Sequence, residues 1–297
     1  MILGIVCGVT AAFWQDCGYV FSRLYVKRFA APVKLLLATQ LLMGAAGIAI
    51  LPFVWQDGFW GNWSFVLPLA GSAFGSLFGQ LFFFHTEEHV SPARISSLMG
   101  LRVVVLALVS GLFLGEHYDH RQIFGIALAA LSALVINYQG GGRIATRGMG
   151  WFALTLGSYC VSDLSVKYMI DRIITGNFFT SALIGMSLVN ILLMGVTLPF
   201  ALHMKLSPAE LKPTLPFAGS WLVKQILLYS CYALIGPVFG NVIMSLRGPI
   251  AIILTLVLLR FGVKNLDGAA GTAVWIRRGV ATLMMVAAIA LYSLHGV

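Results

Sequence analysis

SPARISSLMGLRVVVLALVSGLFL, residues 91–114, and PVFGNVIMSLRGPIAIILTLVLLRF, residues 237–261, decide the fold. Each is apolar over the ~20 residues that a helix needs to cross a bilayer. Each also carries one arginine near its middle, Arg102 and Arg247. A guanidinium keeps its proton, and placing one at the bilayer centre costs ~2.5–3.5 kcal/mol on insertion scales. A cost met twice, at matching places in the two halves of one chain, points to a membrane protein built from a repeat. The arginines then either balance internal carboxylates or line a substrate path.

Working outward, the two stretches belong to longer matching segments offset by 145 residues. Leu77/Leu222, Gln80/Gln225, Pro92/Pro237, Met99/Met244, Leu101/Leu246, Arg102/Arg247 and Leu114/Leu259 are identical pairs. Leucines coincide easily in apolar sequence, so the weight rests on Gln, Pro and Arg. Later in each half, Gly125 and Tyr138 align with Gly279 and Tyr292 across a longer connection.

Composition agrees with a polytopic membrane protein: 59% hydrophobic and 10% charged residues, where soluble domains run about 45–50% and 25%. The net charge of +9 does not imply nucleic acid, because Lys and Arg are scattered singly between apolar runs instead of clustering on a soluble face. Cys7, Cys17, Cys160 and Cys231 all fall in apolar runs without metal-type spacing and read as small buried hydrophobes. The first segment lacks a basic leader and is interrupted by Gln15 and Asp16, so no cleavable signal is expected.

Ten all-α spans are expected: Ile2–Tyr25, Val33–Trp55, Ser64–Val90, Ser91–Leu114, Gln122–Tyr138, Met149–Ile170, Phe178–His203, Leu215–Ile235, Pro237–Phe261 and Ala273–Leu294. Gly140–Gly142 with Arg143 and Arg147 forms the mid-chain joint. It divides the chain into five-helix repeats at 1–147 and 148–297. An odd number of spans per repeat inverts one against the other, and inverted repeats place a site near the midplane between them.

Several polar residues admit two readings. Gly71, Gly75 and Gly79 in span three form a small-residue face for close helix approach, with Ser72, Ser76 and Gln80 beside it. Gln80 and Gln225 either pack or line a cavity. Gly125, Ala129 and Ala133 read as a packing stripe. Asp16 lies inside span one, with Tyr19 and Arg23 on the same side; Asp163 holds a comparable place in span six, with Lys167 four residues on. Both carboxylates are either structural ion pairs, Asp163 with Lys167 and Asp16 with Arg102 or Arg23, or titratable coupling sites. Lys224 either snorkels or lines the cavity on a helix face shared with Gln225, Tyr229 and Tyr232. His85, Glu87, Glu88 and His89 read as a solvated helix end, against a metal or pH-sensitive vestibule.

FFFHTEEHVSPARISSLMGLRVVVLALVSGLFLGEHYDHRQIFGIALAALSALVIN, with Gly115-Glu116 ending the fourth span and Phe124-Gly125-Ile126 opening the fifth, resembles the ten-helix EamA-type branch of the drug/metabolite transporter superfamily. The second half keeps Ser245-Leu246-Arg247-Gly248-Pro249, but Phe261-Gly262-Val263 stands where the terminal Gly-Glu would be. The resemblance implies a substrate carrier with a central cavity between two five-helix repeats. It leaves the cargo open, since members move amino acids, cations, sugars, nucleotide-linked sugars or drugs.

The expected function is alternating-access transport, as exporter or exchanger, of a small anionic or zwitterionic metabolite. Arg102, Arg247, Gln80, Gln225, Lys224 and Tyr19 are the expected substrate contacts, and Asp16 and Asp163 the coupling residues. No enzyme is expected: there is no phosphate-binding G-x-x-x-x-G-K-[ST], no G-x-S-x-G and no H-E-x-x-H. The alternatives are a flippase or transferase acting on a lipid phosphate, or a structural membrane subunit. Neither cofactor nor metal is called for. The partners are a small molecule and the bilayer of the inner or plasma membrane, not nucleic acid, with the protein as monomer or homodimer.

Overall fold

The computed structural model describes residues 1–29, 31–56, 63–87, 89, 98–113, 115–137, 148–173, 177–206, 208–260 and 272–293. Among them lie ten helical spans: α1 (Ile2–Phe29), α2 (Pro32–Val54), α3 (Val66–Glu87), α4 (Arg102–Phe113), α5 (His120–Asn137), α6 (Met149–Arg172), α7 (Phe178–His203), α8 (Leu215–Ile235), α9 and α10 (Thr272–Ser293). The ninth is in two pieces, α9a (Pro237–Met244) and α9b (Arg247–Arg260). The mid-chain joint at Gly140–Gly142, and with it the boundary at 147, lies outside the described residues, as do Pro92, Leu114, Tyr138, Glu88 and Gly262.

The chain runs up and down, so the bundle has a proximal end, which holds Met1, and a distal end, where α1 finishes. Local chemistry sets the joints. Asn177 caps α7 by accepting a hydrogen bond from the Phe179 amide at 2.9 Å, as a short polar N-cap should. Gly236 alone joins α8 to α9a with φ +76° and ψ 165°, a conformation open essentially only to glycine.

Helix packing carries the repeat more clearly than sequence identity does. The strongest contacts pair α1 with α8, α3 with α6, α2 with α7, and α5 with α10. Advancing every helix by five exchanges the first two pairs and returns the last two to themselves. Contacts of α4 with α6 and of α1 with α9 obey the same rule. The five-helix stretches therefore interleave, and the helices that meet at the centre come from both.

The packing stripes are where the sequence put them. A Cβ on Gly75 would lie 2.8 Å from both the Ser158 carbonyl oxygen and the Ser162 amide nitrogen, and one on Gly79 would meet the Tyr159 ring at 2.7 Å. A Cβ on Gly125 would lie 3.0 Å from the Ala288 carbonyl oxygen. Outward faces are apolar, and Phe53, 89% exposed, is covered only if lipid surrounds the bundle.

Four helical stretches are long and apolar enough by length and hydropathy alone to cross a membrane: Pro32–Val54, Trp63–Glu87, Phe178–His203 and Lys212–Ile235. Four of the others fall short for informative reasons. Helices α1 and α6 carry Asp16 and Asp163 in their interiors, and the fourth and ninth spans are interrupted. The sequence reading took both of these as continuous, and the structure corrects it. The fourth enters through a 3-10 turn at Met99–Leu101 and becomes α-helical at Arg102. The ninth breaks at Ser245–Leu246 and restarts at Arg247. Pro249 has no amide proton and fits only a first helical turn, so a restart just before it is the relaxed solution.

Candidate functional site

Arg102 begins α4 and Arg247 begins α9b. Arg247 lies ten residues beyond Pro237, about 15 Å at 1.5 Å per residue, near the middle of a ~30 Å hydrocarbon core. Both side chains are buried, 5% and 1% exposed, and they make different bonds. Arg102 pairs with Asp163, donates from Nη2 to the Tyr159 carbonyl at 2.8 Å, and sits over the Tyr159 ring at 4.9 Å. Arg247 keeps Nε and Nη1 without a hydrogen-bond partner among the described residues. It is close enough for its charge to act on Tyr19, Tyr159 and Lys224.

The Asp163 pairing corrects the sequence reading. Lys167 does not neutralise Asp163; it binds Asp171 one turn further on, at 2.7 Å near the proximal end. Nor is Arg102 the partner of Asp16. Four-residue spacing makes Lys167 reachable along the helix, but Asp163 faces the bundle interior, where α4 and α9a offer better partners. Asn241 donates from Nδ2 to Asp163 Oδ2 at 2.8 Å, and the same nitrogen lies 2.7 Å from the Tyr232 hydroxyl and 2.9 Å from the Pro237 carbonyl.

Arg102 and Asp163 line a central cavity together with Gln80, Gln225 and Lys224, so five of the eight residues expected from sequence meet there. Tyr19, Asp16 and Arg247 do not line it. Tyr19 accepts a hydrogen bond from Gln15 at 2.5 Å and stacks on Phe83 at 5.0 Å. With Trp221 and Phe217 these rings close the distal side of the cavity. Asp16 is buried, 2% exposed, on the same helix. The enclosed space is about 30 Å³, room for a water or two.

Lys224 has its ammonium 4.5 Å from the Trp221 ring centre and makes no hydrogen bond or ion pair among the described residues. Gln40 donates to Gln80 Oε1 at 3.1 Å, and Gln225 to the Tyr229 hydroxyl at 3.2 Å. Ser72 also meets that hydroxyl, at 3.1 Å. Sequence reasoning missed Gln40, Tyr159, Asn190, Trp221 and Asn241. The amides carried the same signal that exposed Gln80, a lone polar residue in an apolar run, but Gln40 and Asn190 fall outside the segments that match at an offset of 145, and Asn241, inside them, aligns with Ser96 and not with another amide.

At the proximal end lies a wider vestibule of about 500 Å³, bordered by Met1, Glu116, Tyr118, Gly236, Pro237, Phe239 and Tyr292. The Tyr118 hydroxyl donates to Glu116 at 2.5 Å. Burial pushes that hydroxyl above the usual tyrosine value, and the bond to Glu116 adds to the shift. His85 stacks against Trp151 and His89 lies against Gly148. Among the described residues no group of three His, Cys, Asp or Glu could hold a metal.

Interleaved five-helix stretches with apolar outer faces and a polar cavity between them give the architecture of a multi-pass helical membrane protein. The profile of the EamA-like transporter family matches residues 2–138, so the first five helices are similar to that family, which is consistent with the drug/metabolite transporter superfamily. No curated protein matches by sequence. A solved structure titled only "Crystal structure of protein" superposes with TM-score 0.62 at 17% identity, over 98% of this chain and 96% of its own. That likeness speaks for the fold alone.

Proposed function

We propose that the protein is a secondary transporter of a small anionic or zwitterionic metabolite, working by alternating access as an exporter or exchanger in the inner or plasma membrane. The observation that carries this reading is Lys224, an amine on the cavity wall that no carboxylate pairs with among the described residues. Among the described deep charges, Arg102, Arg247 and Lys224 outnumber Asp16 and Asp163 by one. The excess is smaller than the sequence suggested, because Asp163 engages Arg102 and not Lys167. An anionic group beside Lys224 would balance it.

A cavity of about 30 Å³ cannot hold a metabolite, so the walls must part for each passage, as alternating access requires. In this reading Arg102, Lys224, Gln80 and Gln225 contact substrate, Arg247 and Tyr19 act from just behind the wall, and Asp16 is the candidate coupling group. Purified protein would be screened by thermal shift against metabolites of both charge signs, and hits tested for counterflow in proteoliposomes. An anion should stabilise the wild type, and Lys224→Gln should weaken that binding about tenfold, as expected for one charge-assisted hydrogen bond. Asp16→Asn should abolish pH-driven transport but spare substrate exchange. Saturable uptake of a quaternary ammonium compound, indifferent to Lys224→Gln and Arg247→Gln, would sink the anion reading.

A further inference from the structure

The cavity that holds the cations is also lined by amides with polar atoms that lack partners among the described residues. Asn190, on α7, is fully buried, and neither its Oδ1 nor its Nδ2 has a hydrogen bond among the described residues. Gln40, on α2 and 1% exposed, gives its Nε2 to Gln80 and leaves Oε1 without a donor; Gln225, 7% exposed, gives its Nε2 to Tyr229 and likewise leaves Oε1 bare. All three line the cavity.

Leaving a buried amide atom unmet is unfavourable, and native interiors hold few such atoms. The contrast within this molecule is sharp. Asn241 is as buried as Asn190, yet its Nδ2 lies within hydrogen-bonding distance of three oxygens. An amide kept for packing would be satisfied in this way or replaced by leucine. Asn190 is neither, and it sits where the α2–α7 pair meets the cavity.

We propose that Asn190, with Gln40 and Gln225, forms a specificity subsite that reads a hydrogen-bond donor on the substrate, a hydroxyl or an amino group, while Lys224 and Arg102 hold its anionic end. The inference rests on the anionic reading above and narrows it. The substrate is a hydroxy or amino derivative of a small acid, and its unsubstituted parent is rejected because binding it leaves the acceptors bare. Rejection of this kind is stronger than discrimination by size, since the site loses bonds that it was built to make.

The test uses the full chain in lipid nanodiscs. Without ligand, Asn190→Leu should raise Tm by roughly 2–4 °C, because it removes an unmet polar group at nearly constant shape, whereas Asn241→Leu should lower it. A fall for both would mean that the Asn190 amide is bonded within the structure, through a fixed water, and would overturn the subsite. Ligand pairs test it independently on the wild type: lactate and alanine against propionate, malate and aspartate against succinate. The substituted member of at least one pair should bind about 10–100-fold more tightly. Asn190→Leu should erase that preference while keeping the affinity for the parent acid. Equal binding within both pairs overturns the donor subsite and leaves the anion reading standing. Failure of every acid to bind overturns both.

Discussion

Arg102 divides its guanidinium between a carboxylate, a carbonyl and the face of a ring, all contributed by α6. Removing one member of a buried ion pair strands the other, which typically costs about 3–5 kcal/mol. Arg102→Gln should therefore lower the unfolding midpoint strongly, and so should Asp163→Asn. The double replacement should recover most of the loss, because two neutral amides can bond to each other and to Asn241. Thermal unfolding of the three variants checks this; an additive double mutant would show that the pair is not coupled. Arg102, Gln80, Gln225 and Lys224 were legible in the sequence because such residues are conspicuous in apolar runs. The partner of Asp163 was not, since spacing along one helix says who is near and not which way the side chain turns.

At the scale of elements, the α3–α6 crossing depends on the absence of a side chain. Gly75→Ala drives a methyl against the Ser158 carbonyl and the Ser162 amide, backbone atoms that cannot swing away. It should destabilise the protein by about 1–3 kcal/mol. Gly157, on the same α6 but with open space where a Cβ would be, should accept alanine without loss, by up to ~1 kcal/mol in its favour. Expression level and Tm of the two variants decide whether the stripe is packing, as its four-residue spacing suggested. The breaks in the fourth and ninth spans were the least legible elements. Gly100 and Gly248-Pro249 permit an interruption, but only packing shows that one occurs.

Asn241 has a second part to play as an element of closure. It bonds on one side to Asp163, which lines the cavity, and on the other to Pro237, which borders the vestibule. The side chain thus lies between residues of the two spaces. With Cys7, Cys17, Cys160 and Cys231 replaced by alanine, a cysteine at the cavity residue Ser76 should react slowly with an impermeant thiol reagent applied from the Met1 side. Asn241→Ala should speed that reaction severalfold. An unchanged rate would place the proximal closure elsewhere.

For the whole molecule, the up-and-down path gathers charge at one end. Among the described residues, Arg23, Lys27, Arg28 and Lys34 around the first connection, Lys205 and Lys212 around the seventh, and Arg260 and Arg277 around the ninth belong to the distal end. Arg94, Arg143, Arg147, Lys264 and Arg278, the other basic residues of the odd-numbered connections, are assigned there by sequence alone. Arg121, Lys167 and Arg172 represent the proximal one. Basic residues stay cytoplasmic, which puts both termini outside, whereas the family resemblance implies termini inside. The charge rule leads us to expect a C-terminal reporter that is silent in the cytoplasm; a cytoplasmically active fusion would reverse the assignment. Ten helices and an inverted repeat could be read from sequence because hydropathy and parity are properties of the chain alone. The interleaving of the halves could not, being a property of which apolar faces find each other.

Two copies of one design normally relax to one shape, and here they have not. α4 and α9b are counterparts, yet the arginine of the first is locked to a carboxylate while that of the second retains donors without acceptors. If the proposed alternating access holds, the difference between the halves supplies a template for the opposite state: each half taking the shape of the other would make Arg247 the anchored guanidinium and Arg102 the loose one. Arg247→Gln should then shift the balance between the two states while leaving the Arg102–Asp163 pair intact, which the accessibility of a cysteine at Ser76 from either face would report.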